Sequence, residues 1–276
     1  MTAPKLTRKN YGSGHAYFLD GEKIPGVTAV LGDGLAKPAL INWAAKTVAG
    51  YAVDHWDTLG ELKLSERLKT LENAHYADRD AAGKRGTEVH KLAEALNAGK
   101  QVAVPDELAG HVESYVKFLD EHDPQVVLTE SSVVYLKPLN EYAGTLDLVA
   151  DFPALGKRLL CDVKTARSGV FPDNALQLAA YRYATSWLDG TTLKPMPEVD
   201  ECAVIHVRAD GYSLVPLEAG PAEHRFFLYC RQLWRWQNEA SETVVGEEIP
   251  PPDDTARAVA AEKRALDNGM PEWSKS

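Results

Sequence analysis

The sequence contains few cysteines and no long apolar run, and it lacks an excess of positive charge. Its three cysteines, Cys161, Cys202 and Cys230, are widely spaced and form no CxxC pair. This spacing argues against a disulfide framework and a structural zinc site, and it fits a reducing cytoplasm. No apolar run approaches the roughly 18–20 residues that cross a bilayer, and the N-terminal residues lack the apolar core of a signal peptide. We therefore expect a cytoplasmic protein without a membrane partner.

The formal net charge is −10 at pH 7, which does not favour a nucleic-acid partner on simple electrostatics. A metal-dependent enzyme can still bind DNA through a local basic groove. The 276 residues are enough for one large domain with additions or for two small domains.

Apolar periodicity and turn residues predict alternating helices and strands. The predicted helices cover residues 38–53, 61–73, 80–97, 106–122, 172–188 and 223–239, with a short one at 255–266. The predicted strands cover residues 24–31, 125–136, 145–152, 158–165, 199–207 and 212–216. Residues 1–23 read as loop or a short hairpin.

The most informative stretch runs from residue 144 to residue 164, where two β-rich runs flank a turn with Pro153 and Gly156. Asp147 lies in the first strand and Asp162 in the second. Lys164 follows Asp162 by two positions, so both side chains point to one face. Two carboxylates beside an ammonium can hold a hydrated divalent cation and orient one of its waters. The alternative is an ordinary cross-strand ion pair between Asp147 and Lys164.

A helix before these strands carries His90, one turn after Gly86. A glycine at this spacing lets a backbone or a phosphate approach the histidine closely. Lys84 and Arg85 could meet phosphates there. Alternatively, His90 is a hydrogen-bonded structural histidine, and the two basic residues are simply solvated.

Three further polar residues lie near this pattern. Glu130 lies within a strand, where it is either a solvent-side residue or a third acid at the same site. Gln177 and Tyr181 are four residues apart on a helix and project together. As a pair they could also be ordinary helix surface.

In this order, the segments GTEVH, Glu130, GTLDLVAD, LLCDVKT and QLAAY resemble the RecB-like branch of the PD-(D/E)XK nuclease superfamily. The resemblance covers about residues 83–187 and is greatest to phage-encoded and CRISPR-associated exonucleases; residues 38–44 also look like the N-terminal region of phage members. It implies an α/β (α+β) fold with a restriction-endonuclease-like core, in which helices flank a central mixed β-sheet.

The resemblance also implies roles for individual residues. Asp147 and Asp162 would be metal ligands, together with the backbone carbonyl of Val163, and Lys164 would be the catalytic lysine. His90 would be the helix-borne ligand typical of the RecB-like branch.

Outside this metal-binding set, Glu130 matches a strand position that is commonly acidic in the family. Gln177 and Tyr181 would be the QxxxY pair that helps to hold DNA and the site. Apart from the resemblance, the position of Lys84 and Arg85 just before His90 makes them candidate substrate-binding residues.

From this resemblance we expect a DNA nuclease, most closely an exonuclease, that uses one or two Mg²⁺ or Mn²⁺ ions in phage or bacterial DNA recombination or processing. It would act in the cytoplasm, which is the host's if the protein is phage-encoded. A recombination or replication protein would be a further partner. The three cysteines cannot supply the four thiolates of the CRISPR-associated members, so we predict no iron–sulfur cluster.

The predicted organisation is an N-terminal helical and β region over residues 1–82, a nuclease core over 83–245 and a Pro-rich acidic tail over 246–276. Two other functions stay open from the sequence. One is a catalytically silent DNA-binding or assembly protein on the same fold. The other is a metal-dependent hydrolase of a phosphate ester other than DNA.

Overall fold

A computed structural model describes residues 3–12, 14–251 and 253–269. The chain divides into two compact units, Met1–Gln237 and Asn238–Ser276. The first unit contains ten strands and seven α-helices among the described residues. The second contains a short 3₁₀ helix, Ser241–Thr243, and the helix α8, Asp254–Gly269. Among the described residues, no helix is long and apolar enough to cross a membrane.

The remaining elements have the following bounds. The α-helices are α1 Val27–Gly34, α2 Pro38–Asp54, α3 Trp56–Glu61, α4 Leu64–Asn97, α5 Ala109–His122, α6 Asp173–Arg182 and α7 Pro221–Arg235. A 3₁₀ turn, Asp106–Leu108, precedes α5, and a π-helical turn, Trp236–Ala240, follows α7. The strands are β1 Leu6–Tyr11, β2 Gly14–Leu19, β3 Glu22–Ile24, β4 Gln125–Tyr135, β5 Tyr142–Phe152, β6 Lys157–Lys164, β7 Ser186–Asp189, β8 Thr192–Pro195, β9 Glu201–Arg208 and β10 Gly211–Leu217.

The main sheet has seven strands in the order β10-β9-β6-β5-β4-β7-β8. The pair β6–β9 is parallel, and the other neighbouring strands are antiparallel. Helix α6 lies in the crossover between β6 and β9, as a parallel connection requires. The sheet is therefore mixed and flanked by helices, which confirms the predicted fold class at this level.

Each face of this sheet is covered by a separate apolar cluster. One cluster joins the sheet to α1, α6 and α7 through residues such as Val30, Leu178 and Phe227. The other joins it to α4 and α5 through Ala93 and Phe118, among others. The strands β5, β6 and β9 contribute to both clusters because successive strand residues point to opposite faces. The sheet is thus the buried centre of the first unit.

A small antiparallel sheet, in the order β1-β2-β3, forms the N-terminus. For residues 1–23 we predict loop or a short hairpin; β2 and β3 form that hairpin around the turn at residues 20–21, and β1 adds a third strand to it. A bridge between Gly26 and Ala143 connects the chain just after this sheet to β5. This contact places the small sheet next to the start of β5.

Three predicted elements are wrong or incomplete. Residues 24–31 are predicted as a strand, but Val27, Val30 and Leu31 are buried at helical spacing in α1. The two helices predicted at 61–73 and 80–97 are one continuous helix, α4, because the residues between them include no helix breaker.

The helix predicted at 172–188 ends earlier, since α6 stops at Arg182 and the chain then enters β7. Trp187 pairs with Val133 of β4 there, so sheet pairing overrides the local apolar pattern. In the C-terminal tail, Pro252 and residues 270–276 lie outside the described residues.

Candidate metal centre and its surroundings

Three carboxylates lie in one row across three adjacent strands. In the β4–β5 register, Glu130 falls between two paired residues and faces Asp147. In the β5–β6 register, the last pair is Leu148 with Cys161, and one further step would put Asp147 opposite Asp162. Side chains directly opposite one another on neighbouring strands are close enough to interact. Of the two positions that the sequence allows for Glu130, facing solvent or beside the other acids, the register supports the second.

Beyond the pair Leu148–Cys161, β5 and β6 are no longer paired, and the Asp147 carboxylate lies between the two strands. Val163 lies two residues past Cys161, the last β6 residue that pairs with β5, and its N–H donates to Asp147 Oδ2 at 2.7 Å. The N–H and C=O of one strand residue point to the same edge. The Val163 carbonyl therefore also faces the β5 side, where the predicted metal ligand should be.

Helix α4 brings His90 to the same place. Its Nδ1 lies 3.5 Å from Asp147 Oδ2 and 3.8 Å from Glu130 Oε1. The second of these distances is beyond hydrogen-bonding range, and the first is at its limit. Among the described residues, His90, Glu130 and Asp147 form a group whose ligand atoms all lie within 4.8 Å of one another and which could hold a metal ion.

The backbone at Glu130 has an unusual conformation, with φ of 43°. A non-glycine residue in the left-handed region is uncommon and interrupts a ladder. This irregular backbone conformation occurs at the residue that completes the ligand group with His90 and Asp147. Backbone conformations of this kind often occur at functional sites.

The third carboxylate of the row belongs to an adjoining network. The Lys164 ammonium lies 2.6 Å from the buried Asp162 Oδ2 and forms an ion pair with it. Gln177 Nε2 donates to Asp162 Oδ1 at 2.8 Å and to the Tyr181 hydroxyl at 3.3 Å. Its Oε1 accepts from Lys164 at 3.4 Å. Gln177 and Tyr181 therefore line the candidate site and are not exposed helix surface.

Gly144 explains the close approach of helix α6 to this network. A Cβ built on Gly144 would lie 2.5 Å from the Tyr181 ring. Any larger residue would push Tyr181 away, and Gln177 with it. The situation differs at Gly86, where an added Cβ would meet the Thr165 hydroxyl at an ordinary 3.5 Å.

Burial and neighbouring charges shift the pKa values of His90, Asp147, Asp162 and Lys164. Burial lowers the pKa of His90, but Asp147 and Glu130 outweigh this effect and raise it to about 9. Burial raises the pKa of Asp162 to about 6 against the attraction of Lys164, and it also raises that of Asp147. Burial opposes charge on Lys164 too, but the two aspartates dominate and raise its pKa. The close spacing of Glu130, Asp147 and Asp162 therefore favours the binding of a cation between them.

A cavity of about 160 Å³ opens onto these groups. It is lined by His15, Tyr17, Val27, Thr28, His90, Gly144, Thr145, Asp147, Asp162, Lys164, Gln177 and Tyr181. A larger and more open groove, of about 420 Å³, lies around residues 151–158 and contains no predicted site residue. The smaller cavity is the one that predicted site residues line.

Four predicted residues are not among those that line this cavity: Glu130 and Val163, which lie against Asp147, and Lys84 and Arg85. Lys84 is exposed on α4, and Arg85 is half-buried. Burial of His111 lowers the pKa of that histidine, and the nearby positive charge of Arg85 lowers it further. His15 and Tyr17, which are not among the predicted site residues, line the cavity from β2. The signal for this strand is the alternation of polar and apolar residues over positions 14–19. It is weak because the neighbouring sequence is polar and rich in glycine.

The molecule is thus a mixed α+β protein with a candidate metal centre at the point where its central strands separate. No protein-family model matches the chain, and no curated protein matches it. Among solved structures it is similar to the crystal structure of SSO0001, with 12% sequence identity and a TM-score of 0.32. The match covers 49% of this chain and 63% of that chain, which is less than two thirds of its length.

Proposed function

We propose that this protein is a metal-dependent nuclease that hydrolyses phosphodiester bonds in DNA. The observation that carries the proposal is the meeting, around one cavity, of a His–Glu–Asp ligand group with a buried Asp–Lys–Gln network. These donors come from α4, three adjacent strands and α6. Separately, each group has an ordinary structural explanation. Their convergence favours a reaction that needs both a cation and an oriented water.

The ligand chemistry suits Mn²⁺ or Mg²⁺. Carboxylate oxygens and the Val163 carbonyl are the hard donors that Mg²⁺ prefers, and the imidazole of His90 suits Mn²⁺ better. The bound cation would supply Lewis acidity and offset charge on the phosphate. Asp147 would be its central protein ligand, since Asp147 lies between Glu130, His90 and the Val163 backbone.

Lys164 and Asp162 would bind and orient the water that attacks the phosphate. The ammonium of Lys164 is held between Asp162 and Gln177, which fixes it at the cavity wall. From there it can donate to an attacking water or to a non-bridging phosphate oxygen as negative charge develops. Asp162 accepts from Gln177 through Oδ1, which leaves Oδ2 for the lysine and for a water or cation.

The direct test incubates purified protein with end-labelled linear duplex, circular duplex and single-stranded DNA, each with Mg²⁺, with Mn²⁺ and with EDTA. We expect cleavage with metal and none in EDTA. Degradation of linear DNA from its labelled end with the circle left intact indicates an exonuclease, and nicking of the circle indicates an endonuclease. A parallel panel of nucleotides and small phosphate esters tests a hydrolase of another substrate.

Paired lysine variants test the site itself. Lys164→Met should reduce cleavage by about a hundredfold or more, as removal of a group that assists proton transfer does. Lys157→Met is the matched control, because Lys157 lies at the other end of β6 and pairs with the exposed Glu201. Equal rates for the two variants would refute the catalytic role of Lys164. Metal binding without cleavage of any substrate by the wild type would instead favour a silent DNA-binding protein.

A further inference from the structure

The small N-terminal sheet turns a positively charged face towards the cavity. Its register pairs Arg8 with Tyr17 and Asn10 with His15, so these four side chains share one face. Tyr17 and His15 line the cavity, and Arg8 is exposed to solvent beside them. This face therefore leads from the protein surface into the candidate site.

The charge on this face lies on the arginine. Arg8 Nη2 lies 3.4 Å from His15 Nδ1, and an arginine can only donate, so the ring proton of His15 belongs on Nε2. Burial and the nearby guanidinium lower the pKa of His15, which keeps the imidazole neutral at pH 7. This contact uses one of the five N–H groups of Arg8, and His15 retains an N–H donor of its own.

The position of this face is fixed by a contact with the main sheet. The Tyr17 hydroxyl hydrogen-bonds Thr145 Oγ1 at 2.8 Å, two residues before Asp147. A polyanion that approaches the cavity meets a chain of net charge −10 and a row of three carboxylates. A cation at the entrance compensates for that repulsion, and a guanidinium can bind a phosphate through two parallel hydrogen bonds.

We propose that Arg8, together with His15, binds a backbone phosphate next to the scissile one and so guides one DNA strand into the cavity. This inference rests on the proposed nuclease function and adds a strand-binding site to it. The N–H groups of Arg8 and His15 donate to the non-bridging oxygens of that phosphate. Tyr17 keeps the pair at a constant distance from the metal ligands.

The same strand offers a matched control. Lys9 is exposed next to Arg8 but points to the opposite face, where its ammonium lies over the Phe18 ring. Arg8→Ala and Lys9→Ala therefore remove the same charge from neighbouring positions. A purely long-range electrostatic effect would be nearly equal for the two variants. A direct phosphate contact would affect the arginine variant alone.

The experiment measures binding of a short fluorescein-labelled oligothymidylate by anisotropy in EDTA, where metal-dependent cleavage cannot interfere. We expect Arg8→Ala to raise the Kd about tenfold, as loss of a charged hydrogen bond does, and Lys9→Ala to raise it about twofold or less. Arg8→Lys should fall between them, because lysine keeps the charge without the planar fork. It also replaces Arg8→Ala if that variant does not fold.

Equal weakening by the two alanine variants, an unchanged Kd for Arg8→Ala, or no binding by the wild type overturns the proposal. Failure of the nuclease function gives a different result. In that case the wild type binds the oligonucleotide but cleaves no DNA with Mn²⁺, and the contrast between Arg8→Ala and Lys9→Ala is still measured.

Discussion

Replacing Asp147 by asparagine should separate metal binding from folding. Asp147 accepts the Val163 N–H and lies 3.5 Å from His90, so it is at the centre of the ligand group. Asparagine has nearly the same shape and can still accept this N–H through Oδ1. It lacks the negative charge that attracts a cation. The substitution therefore leaves the backbone contact and removes the main electrostatic reason to bind metal.

The sign of the effect without metal follows from the pKa of Asp147. Burial raises this pKa in the folded protein, so keeping the carboxylate ionised reduces stability at pH values above the folded-state pKa. Asparagine has no such charge. At pH 7–8 and without metal, Asp147→Asn should therefore be as stable as the wild type or more stable.

With metal, the order should reverse. A ligand at about 100 times its Kd adds about 2.7 kcal/mol to the free energy of unfolding. For a protein of this size, each kcal/mol shifts Tm by about 2–4 °C. Saturating Mn²⁺ should thus raise the Tm of the wild type by about 5–10 °C, and that of Asp147→Asn by much less.

Thermal unfolding monitored by circular dichroism, with and without Mn²⁺, provides the assay. Asp151→Asn is the control, because Asp151 lies on the same strand but forms a half-buried ion pair with Arg158 away from the site. It should retain the full Mn²⁺ shift. An equal Mn²⁺ shift in Asp147→Asn and the wild type would show that the cation binds elsewhere, and the candidate metal centre would be wrong.

Three other predictions can be tested with the same protein. Because the pKa of His90 is about 9 and ligation needs a neutral ring, Mn²⁺ affinity should rise between pH 7 and 9 by up to about tenfold per unit; calorimetry checks this, and a flat profile contradicts it. Gly144→Ala should cost about 1–3 kcal/mol in urea unfolding and reduce activity, because the new methyl displaces Tyr181; wild-type stability and activity would rule out that tight contact. Phe118→Ala, in a fully buried core position, should lower the free energy of unfolding by about 3–5 kcal/mol, and a loss below 1 kcal/mol would contradict the observed packing.

Much of the main sheet could be predicted because its strands carry strong local signals. The hairpin of β5 and β6, the pair β9 and β10 and the helix α5 all lie close to their predicted positions. β-Branched runs that end at glycine, proline or aspartate specify such elements locally. The predictions are wrong where contacts between residues far apart in the chain determine the secondary structure. Trp187 joins β7 because β4 offers an edge for pairing, and no local pattern contains that information.

The candidate site shows the same division. The sequence determined that Asp162 and Lys164 share a strand face and that Gln177 and Tyr181 share a helix face, since each pair is set by the period of its own element. Spacing could not reveal that Lys84 and Arg85 lie outside the cavity or that His15 and Tyr17 line it. Those positions depend on how helix α4 and the N-terminal sheet pack against the strands.

By itself, then, the sequence determined which elements form and which polar residues each element presents on one side. Only the tertiary structure decided that Glu130, Asp147 and Asp162 lie in one row and that His90 meets two of them. The physical reason is that strand register and helix packing are set by contacts between residues far apart in the chain. A periodic pattern within one segment carries no record of those contacts.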